Sequence, residues 1–192
     1  MYQVKISNEE INQLDLIQFE GETAVISKPE KVSACFIEIM KAKSVGIDTE
    51  TRPNFKKGVI HPIALLQIAI PDKVFIFRLL ATGITNAMVR FFESDIKKIG
   101  IALHDDIKAL QRKRKFLPQG FISLGSITTS LGIENQGLRK LTAIILGGRI
   151  SKGQQLSNWE NEILTSAQIR YAATDAWTCW KMYNTLDKQG HI

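Results

Sequence analysis

SVGIDTE, residues 44–50, is the stretch that decides how the rest of this sequence is arranged. It is a short apolar segment, typical of a buried strand, and it ends in two acids. Asp48 and Glu50 are two residues apart, so on a strand both carboxylates project from the same face of the sheet. Two adjacent carboxylates repel each other, and a hard divalent cation with oxygen ligands is one way to hold them together. The alternative is that both acids point into water at the end of the strand.

The segments around this strand predict a mixed sheet. Before it, a short strand near Glu22 is followed by a helical stretch from Pro29 to about Lys41. After it, the apolar segments IALLQIAI and KVFIFRL are separated by a two-residue turn. Strands joined by so short a connection run antiparallel, so these segments are expected to form a meander.

Helices dominate the second half of the sequence. A helical stretch begins at Asn86, the strand KKIGIAL leads into the helix HDDIKALQRK, and a short FISL segment precedes the helix LRKLTAIIL. A long helix is expected from about Thr165 to Asp187. We therefore predict an α/β fold, with a mixed β-sheet flanked by α-helices, in a single domain over residues 1–192. Its core spans about residues 22–188, and the polar residues 1–20 are expected to form a flexible arm.

Composition limits the classes of partner and location. Hydrophobic residues make up 44% of the chain and charged residues 23%, which is ordinary globular usage. The longest apolar run is too short to cross a bilayer, the N-terminus has no apolar leader region, and Cys35 and Cys179 are the only cysteines. We therefore expect a cytoplasmic protein that does not enter a membrane. The formal net charge of +6 favours a polyanionic partner such as nucleic acid.

Two further acidic motifs follow the first. HDDIKAL places Asp105 and Asp106 at a strand-to-helix junction, where α/β proteins commonly carry active residues. Helical geometry puts Asp106 about 60° from the apolar stripe of this helix and Asp105 almost opposite it, so only Asp106 leans toward the sheet. The alternative is that both acids merely favour the helix N-terminus. In YAATDAW, Tyr171 and Asp175 are four residues apart, so on a helix they share one face. The alternative is that Tyr171 is a packed aromatic side chain and Asp175 a surface acid.

Together the three motifs resemble the DEDD superfamily of 3′-to-5′ exonucleases, in the tyrosine-bearing branch with ribonuclease D and the Werner-syndrome-type exonuclease domain. DTE looks like the first motif of that family, GIALHDDIKAL like the second and YAATDAW like the third. The similarity runs from about Thr23 to Leu186. It implies a ribonuclease H-like fold and a 3′-to-5′ exonuclease that hydrolyses phosphodiester bonds of DNA or RNA and releases nucleoside 5′-monophosphates. The chain ends soon after the third motif, so the helical nucleic-acid-binding domain of ribonuclease D is expected to be absent.

The resemblance also implies a role for each motif residue. Tyr171 is expected to contact the attacking water, and a tyrosine with an ordinary pKa of about 10 is better suited to orienting water than to acting as a base. Two divalent metal ions, Mg²⁺ or Mn²⁺, are expected as cofactors, and no Cys or His cluster competes for zinc. The implied metal ligands are Asp48, Glu50, Asp106 and Asp175.

Contacts to the nucleic acid are expected outside the acidic side chains. The run QRKRK, residues 111–115, is interpreted as a solvated helix end, with a substrate groove as the alternative. Phe55 and Trp159 are candidates for stacking on a terminal base, although packing is the favoured role of Trp159. The residues expected to contact nucleic acid are Thr49, Arg139, Lys140, Arg149 and Lys152.

One alternative function remains on the same fold. A nuclease that has lost a metal ligand becomes a catalytically weak or inactive nucleic-acid-binding module. All four acids and the tyrosine are present in this sequence, which favours the enzyme.

Overall fold

The computed structural model describes residues 2–54, residue 58 and residues 61–192, and these residues contain six strands and eight helices. The strands are β1 (Glu22–Ile26), β2 (Ser44–Thr51), β3 (Ile63–Ile70), β4 (Lys73–Arg78), β5 (Lys97–Gly100) and β6 (Phe121–Ser123). The helices are α1 (Asn8–Gln13), α2 (Pro29–Ile39), α3 (Leu79–Thr82), α4 (Asn86–Phe92), α5 (His104–Lys113), α6 (Leu124–Ser130), α7 (Leu138–Leu146) and α8 (Ser166–Lys188). In the described ranges, no helix combines the length and the apolar character needed to span a membrane.

All six strands form one mixed sheet in the order β1-β4-β3-β2-β5-β6. Strands β2, β3 and β4 pair antiparallel, whereas β1, β5 and β6 are added in parallel. The mixed sheet and the antiparallel meander predicted from the sequence are therefore confirmed. Strand β5 is shorter than the KKIGIAL segment, because the chain leaves the sheet after Gly100 and Ala102 adopts a left-handed φ of 51° before α5.

One face of the sheet is covered by α2, α4 and α5. Phe36 of α2 lies 5.4 Å from the ring centroids of both Phe77 in β4 and Phe91 in α4. At the other end of this layer, Leu103 and Leu110 bury the inner side of α5 in the same cluster. This packing fixes α5 beside the sheet, with its N-terminus at the end of β2 and β5.

The opposite face is covered by α8, which approaches the sheet closely through small side chains. Ala172, Ala173 and Ala176 are fully buried against β3 and β4. Gly46 lies beneath the helix in β2, and a Cβ atom at this position would lie 1.9 Å from the carbonyl oxygen of Ala176. Only glycine therefore permits the observed separation between β2 and α8. The close approach brings Asp175, the residue before Ala176, down to the level of the sheet.

A capping box determines where α8 begins. The Thr165 hydroxyl accepts a hydrogen bond from the Gln168 backbone N–H at 3.2 Å, and the Gln168 side chain accepts one from the Thr165 N–H at 3.0 Å. The Gln168 amide also donates to the Ser157 hydroxyl at 2.7 Å. These contacts set the rotation of the first helical turn, and Tyr171 follows on the next.

The N-terminal residues pack against the domain, and the expectation of a flexible arm over residues 1–20 was wrong for the described residues 2–20. Helix α1 is started by a capping box between Ser7 and Glu10. Ile11 is fully buried and forms a small core with Ile6 and Ala143 of α7. The few apolar side chains in this polar segment therefore stabilise its packed position, although they are too sparse to show a regular pattern in the sequence.

Candidate active site

The two acids of the first motif lie where β2 meets α8. The β2–β3 register pairs Asp48 with Gln67 and Glu50 with Leu65, which places both acids on the face covered by α8, as their spacing predicted. The register shifts between Glu50 and Thr51, and such irregularities are common next to active sites. The acids thus lie at a point where regular pairing of the strand ends.

Three carboxylates from two elements converge at this point. One carboxylate oxygen from each of Asp48, Glu50 and Asp175 lies within 4.8 Å of the other two. Asp175 is only 6% exposed, and its Oδ1 atom has no hydrogen-bond partner among the described residues. An unpaired buried carboxylate oxygen is costly unless a cation compensates it. The donor set therefore fits a hard divalent metal ion.

Electrostatics within the cluster support the same conclusion. Burial raises the pKa of Asp48, and the charge of Asp106 raises it further. The pKa of Glu50 is raised by burial and then by the charges of Asp48 and Asp175, and the pKa of Asp175 is raised by burial and by Asp48. Ionising all three carboxyl groups at once is energetically unfavourable without a positive charge between them.

Asp106 reaches the site from α5 and is held by Thr49. The Thr49 hydroxyl, between the two first-motif acids, donates a hydrogen bond to Asp106 Oδ1 at 2.6 Å. Asp106 is half-buried and its neighbour Asp105 is exposed, as the helical placement predicted. Asp106 lies outside the group of three whose oxygens are within 4.8 Å, but it is close enough for its charge to act on Asp48 and Glu50.

Tyr171 stands one helical turn before Asp175 and is supported from behind by Trp159. The two ring centroids are 5.8 Å apart, and Trp159 is fully buried. Trp159 therefore packs, which was its favoured role, and is not available to stack on a base. The pKa of Tyr171 is raised by burial and by the charges of Asp175 and Glu50, so the phenol keeps its proton and serves as a hydrogen-bond donor.

A basic groove opens beside Tyr171 and Asp175. Lys140 and Lys152 line it, together with Arg139. Three of the residues expected to contact nucleic acid are therefore located next to the carboxylate cluster.

Arg139 and Arg149, the two arginines expected to contact nucleic acid, also form hydrogen bonds with the N-terminal residues. Arg139 donates to the Asn8 side chain at 3.2 Å and to the Asn12 side chain at 2.6 Å. Arg149 donates through Nε to the Leu14 carbonyl at 3.0 Å. Part of the hydrogen-bonding capacity of both guanidinium groups is therefore used inside the protein.

Several residues of the site were not identified from the sequence. Gly46 carried a signal, because a glycine inside a strand often marks a close backbone approach. Gln67 did not: it is fully buried opposite Asp48, and neither amide atom has a partner among the described residues. Phe55, the other candidate for stacking, lies outside the described residues.

The chain is similar in sequence and in fold to known proteins. A model of the 3′-5′ exonuclease family matches residues 23–191 of this chain. The chain belongs to this family of 3′-5′ exonucleases. A 3′-5′ exonuclease from Arabidopsis thaliana is 30% identical to this chain over 155 residues, covering 74% of this chain and 52% of that protein. The chain spans about half or less of the length of the first curated relatives that it matches.

Solved structures confirm the ribonuclease H-like fold. The Aedes aegypti Nibbler EXO domain superposes with a TM-score of 0.80 and 22% identity, covering 91% of each chain. Trypanosoma brucei RNase D in complex with RNA U12 gives a TM-score of 0.78 and 19% identity, covering 88% of this chain and 63% of that one. The mixed sheet with flanking helices is therefore the fold predicted from the sequence.

Proposed function

We propose that this exonuclease is a metal-dependent enzyme that removes nucleoside 5′-monophosphates one at a time from the 3′ end of a nucleic-acid strand. The observation that carries the proposal is the convergence of Asp48, Glu50 and Asp175 within 4.8 Å, beside a protonated Tyr171. Family membership supports the direction of cleavage.

The acidic residues divide into two groups by geometry. Asp48, Glu50 and Asp175 would together hold one Mg²⁺ or Mn²⁺ ion, because their oxygens already converge. Asp106, with Asp48, would hold a second ion, and Thr49 fixes the carboxylate of Asp106 through its hydroxyl. Bound at these ligands, the ions would activate water and stabilise the charge on the leaving oxygen.

Tyr171 would orient the attacking water. A raised pKa makes the phenol a poor base but a permanent donor, so it can hold a water oxygen or a phosphate oxygen without losing its proton. Trp159 limits the movement of the ring by packing against it. The phenol would thereby be held in place to orient the attacking water.

The basic groove would hold the strand without reading its sequence. Lys140 and Lys152 line the groove and are proposed to contact phosphates directly. The charge of Arg139 is not neutralised, because its partners Asn8 and Asn12 are uncharged amides, and it would add to the attraction. Arg149 would contact phosphate through its Nη atoms, since its Nε is bonded to a carbonyl.

The substrate class is proposed as single-stranded or 3′-ended DNA or RNA. The T. brucei RNase D of the same fold was solved with RNA, which supports RNA as a candidate for this chain. Cys35 and Cys179 are both free thiols, which supports the proposed cytoplasmic location.

A degradation ladder tests the function. A 5′-labelled single-stranded DNA, an RNA of the same sequence and a circular strand are incubated with Mg²⁺ or Mn²⁺, and parallel samples contain EDTA. We expect stepwise shortening of the linear strands from the 3′ end, nucleoside 5′-monophosphate as product, and no reaction in EDTA. Cleavage of the circular strand, or nucleotide release in excess chelator, would contradict the proposal.

An inactive nucleic-acid-binding module on the same fold remains the alternative. It predicts oligonucleotide binding without shortening in the same samples. The complete set of acids around Tyr171 gives no support to a lost ligand.

A further inference from the structure

Gln67 is the only polar residue in strand β3, whose sequence is IALLQIAI. Its side chain is fully buried, and neither the amide nitrogen Nε2 nor the amide oxygen Oε1 has a hydrogen-bond partner among the described residues. Water bonds both atoms in the unfolded chain, so burying them without partners opposes folding. An apolar side chain of the same size would fill the position without this penalty. Stability alone therefore does not account for a glutamine at this position.

The sheet offers the Gln67 amide one polar neighbour. Along β3, the nearest residues on the same face are Leu65 and Ala69. Across the strands, the register pairs Gln67 with Ile76 of β4 and with Asp48 of β2. Opposite side chains on one face have Cβ atoms about 4.5 to 5.5 Å apart, so the Gln67 amide and the Asp48 carboxylate are within reach of each other. Asp48 is therefore the partner that the sheet provides.

Helix α8 covers this part of the sheet with apolar side chains. Ala172, Ala173 and Ala176 are fully buried against the sheet and carry no polar side-chain atoms. Bulk water does not reach Gln67, because its side chain has no exposed surface. A hydrogen bond from this amide to a carboxylate would form in a medium of low dielectric constant, where such a bond is stronger than in water.

Asp48 has hydrogen-bonding capacity that matches the amide. A carboxylate that binds a metal ion keeps lone pairs for further hydrogen bonds, and a side-chain amide carries two N–H donors. Hydrogen bonds of this kind commonly fix the orientation of metal-binding carboxylates. Asp106 has such a donor in the Thr49 hydroxyl, at 2.6 Å, whereas the described residues provide no side-chain donor to Asp48 in the metal-free structure.

We infer that Gln67 is a positioning residue, whose Nε2 donates a hydrogen bond to the Asp48 carboxylate and holds it in the orientation that binds a metal ion. The inference rests on the proposed metal-dependent function. Gln67 acts through Asp48 and touches neither metal nor substrate. This role accounts for the buried amide, because the same group that destabilises the metal-free protein raises its affinity for metal.

The test compares Gln67→Met and Gln67→Leu with the wild type. Both changes keep a side chain of similar size and remove its polar atoms. Leu66→Met is the matched control, because it conserves volume on the same strand and faces the other layer of the core. The melting temperature in EDTA reports the stability of the metal-free protein. Calorimetric titration with Mn²⁺, without nucleic acid, reports metal affinity, and strand shortening is assayed at saturating Mn²⁺.

Stability and metal affinity should move in opposite directions. We expect the Gln67 variants to melt in EDTA at the wild-type temperature or about 2 to 4 °C above it, because an unpaired buried amide is removed. Their Mn²⁺ affinity should fall by about ten-fold or more, the usual effect of removing a group that orients a metal ligand. Turnover at saturating Mn²⁺ should fall less than the affinity, since excess metal compensates for weak binding. Leu66→Met should bind Mn²⁺ like the wild type.

A purely structural role of Gln67 predicts a different result. The Gln67 variant with the higher melting temperature in EDTA is the one compared, so that a poor fit of one apolar shape does not decide the outcome. If this variant melts below the wild type, or binds Mn²⁺ as tightly, the positioning role is overturned, and the exonuclease stands as long as the wild type shortens strands. If the wild type binds no Mn²⁺ and shortens no strand, the proposed function fails and the role of Gln67 fails with it.

Discussion

The closest test of the link between fold and activity is Gly46→Ala, a change outside the set of acidic residues. The new Cβ atom would lie 1.9 Å from the Ala176 carbonyl oxygen, and an ordinary contact begins at 3.4 Å, so α8 must withdraw locally by about 1.5 Å. Asp175 directly precedes Ala176 and would move with it. Because a misplacement of about 1 Å can cost about 100-fold in rate, we expect turnover to fall by about 100-fold or more.

The same substitution should also destabilise the protein to a limited extent. Overpacking of this kind costs about 1 to 3 kcal/mol, which a domain of normal stability survives. Urea unfolding measures that cost, and nucleotide release at saturating Mn²⁺ measures turnover in the folded protein. Gly153→Ala is the matched control, since the nearest atom to its new Cβ is a side-chain atom, the Ser151 hydroxyl oxygen at 3.3 Å, and no backbone atom has to move. Wild-type turnover in a folded Gly46→Ala protein would refute the argument that close approach of α8 assembles the site.

Three further predictions concern the site itself. Tyr171→Phe should lower turnover, while Mn²⁺ affinity measured by titration calorimetry stays near wild type, because the phenol orients water and is not a ligand. Asp106→Asn should abolish nucleotide release and Asp105→Asn should retain most of it; the reverse result, with both proteins folded by circular dichroism, would invalidate the placement of α5. Without metal, the pKa of Asp48 in the folded protein is raised to about 7 and that of Glu50 to about 10. Both carboxyl groups therefore bind a proton more tightly in the folded protein than in the unfolded chain. The free energy of unfolding should therefore be highest at acidic pH and should decrease as the pH rises from the unfolded-state pKa values near 4 toward these folded-state pKa values. Saturating Mn²⁺ should abolish the corresponding decrease in melting temperature.

Most of the fold followed from local pattern. The apolar runs IALLQIAI and KVFIFRL and the two-residue turn between them were enough to predict the meander, because the backbone of a short connection allows only antiparallel pairing. The N-terminal residues were the exception. Ser7 and Glu10 form a capping box that starts α1, but the burial of Ile11 depends on α7, which lies more than a hundred residues further along the chain.

The sequence alone determined which residues close together in the chain lie on the same face of one strand or one helix. Asp48 and Glu50 share a face because side chains on a strand repeat every two residues. Tyr171 and Asp175 share a face because a helix repeats every 3.6 residues. Only the tertiary structure decided that these two faces meet, through Gly46, and which atoms each side chain contacts. Periodicity is a property of the local backbone and is visible in the order of residues. Contacts between distant segments depend on packing distances, which no spacing within one segment encodes.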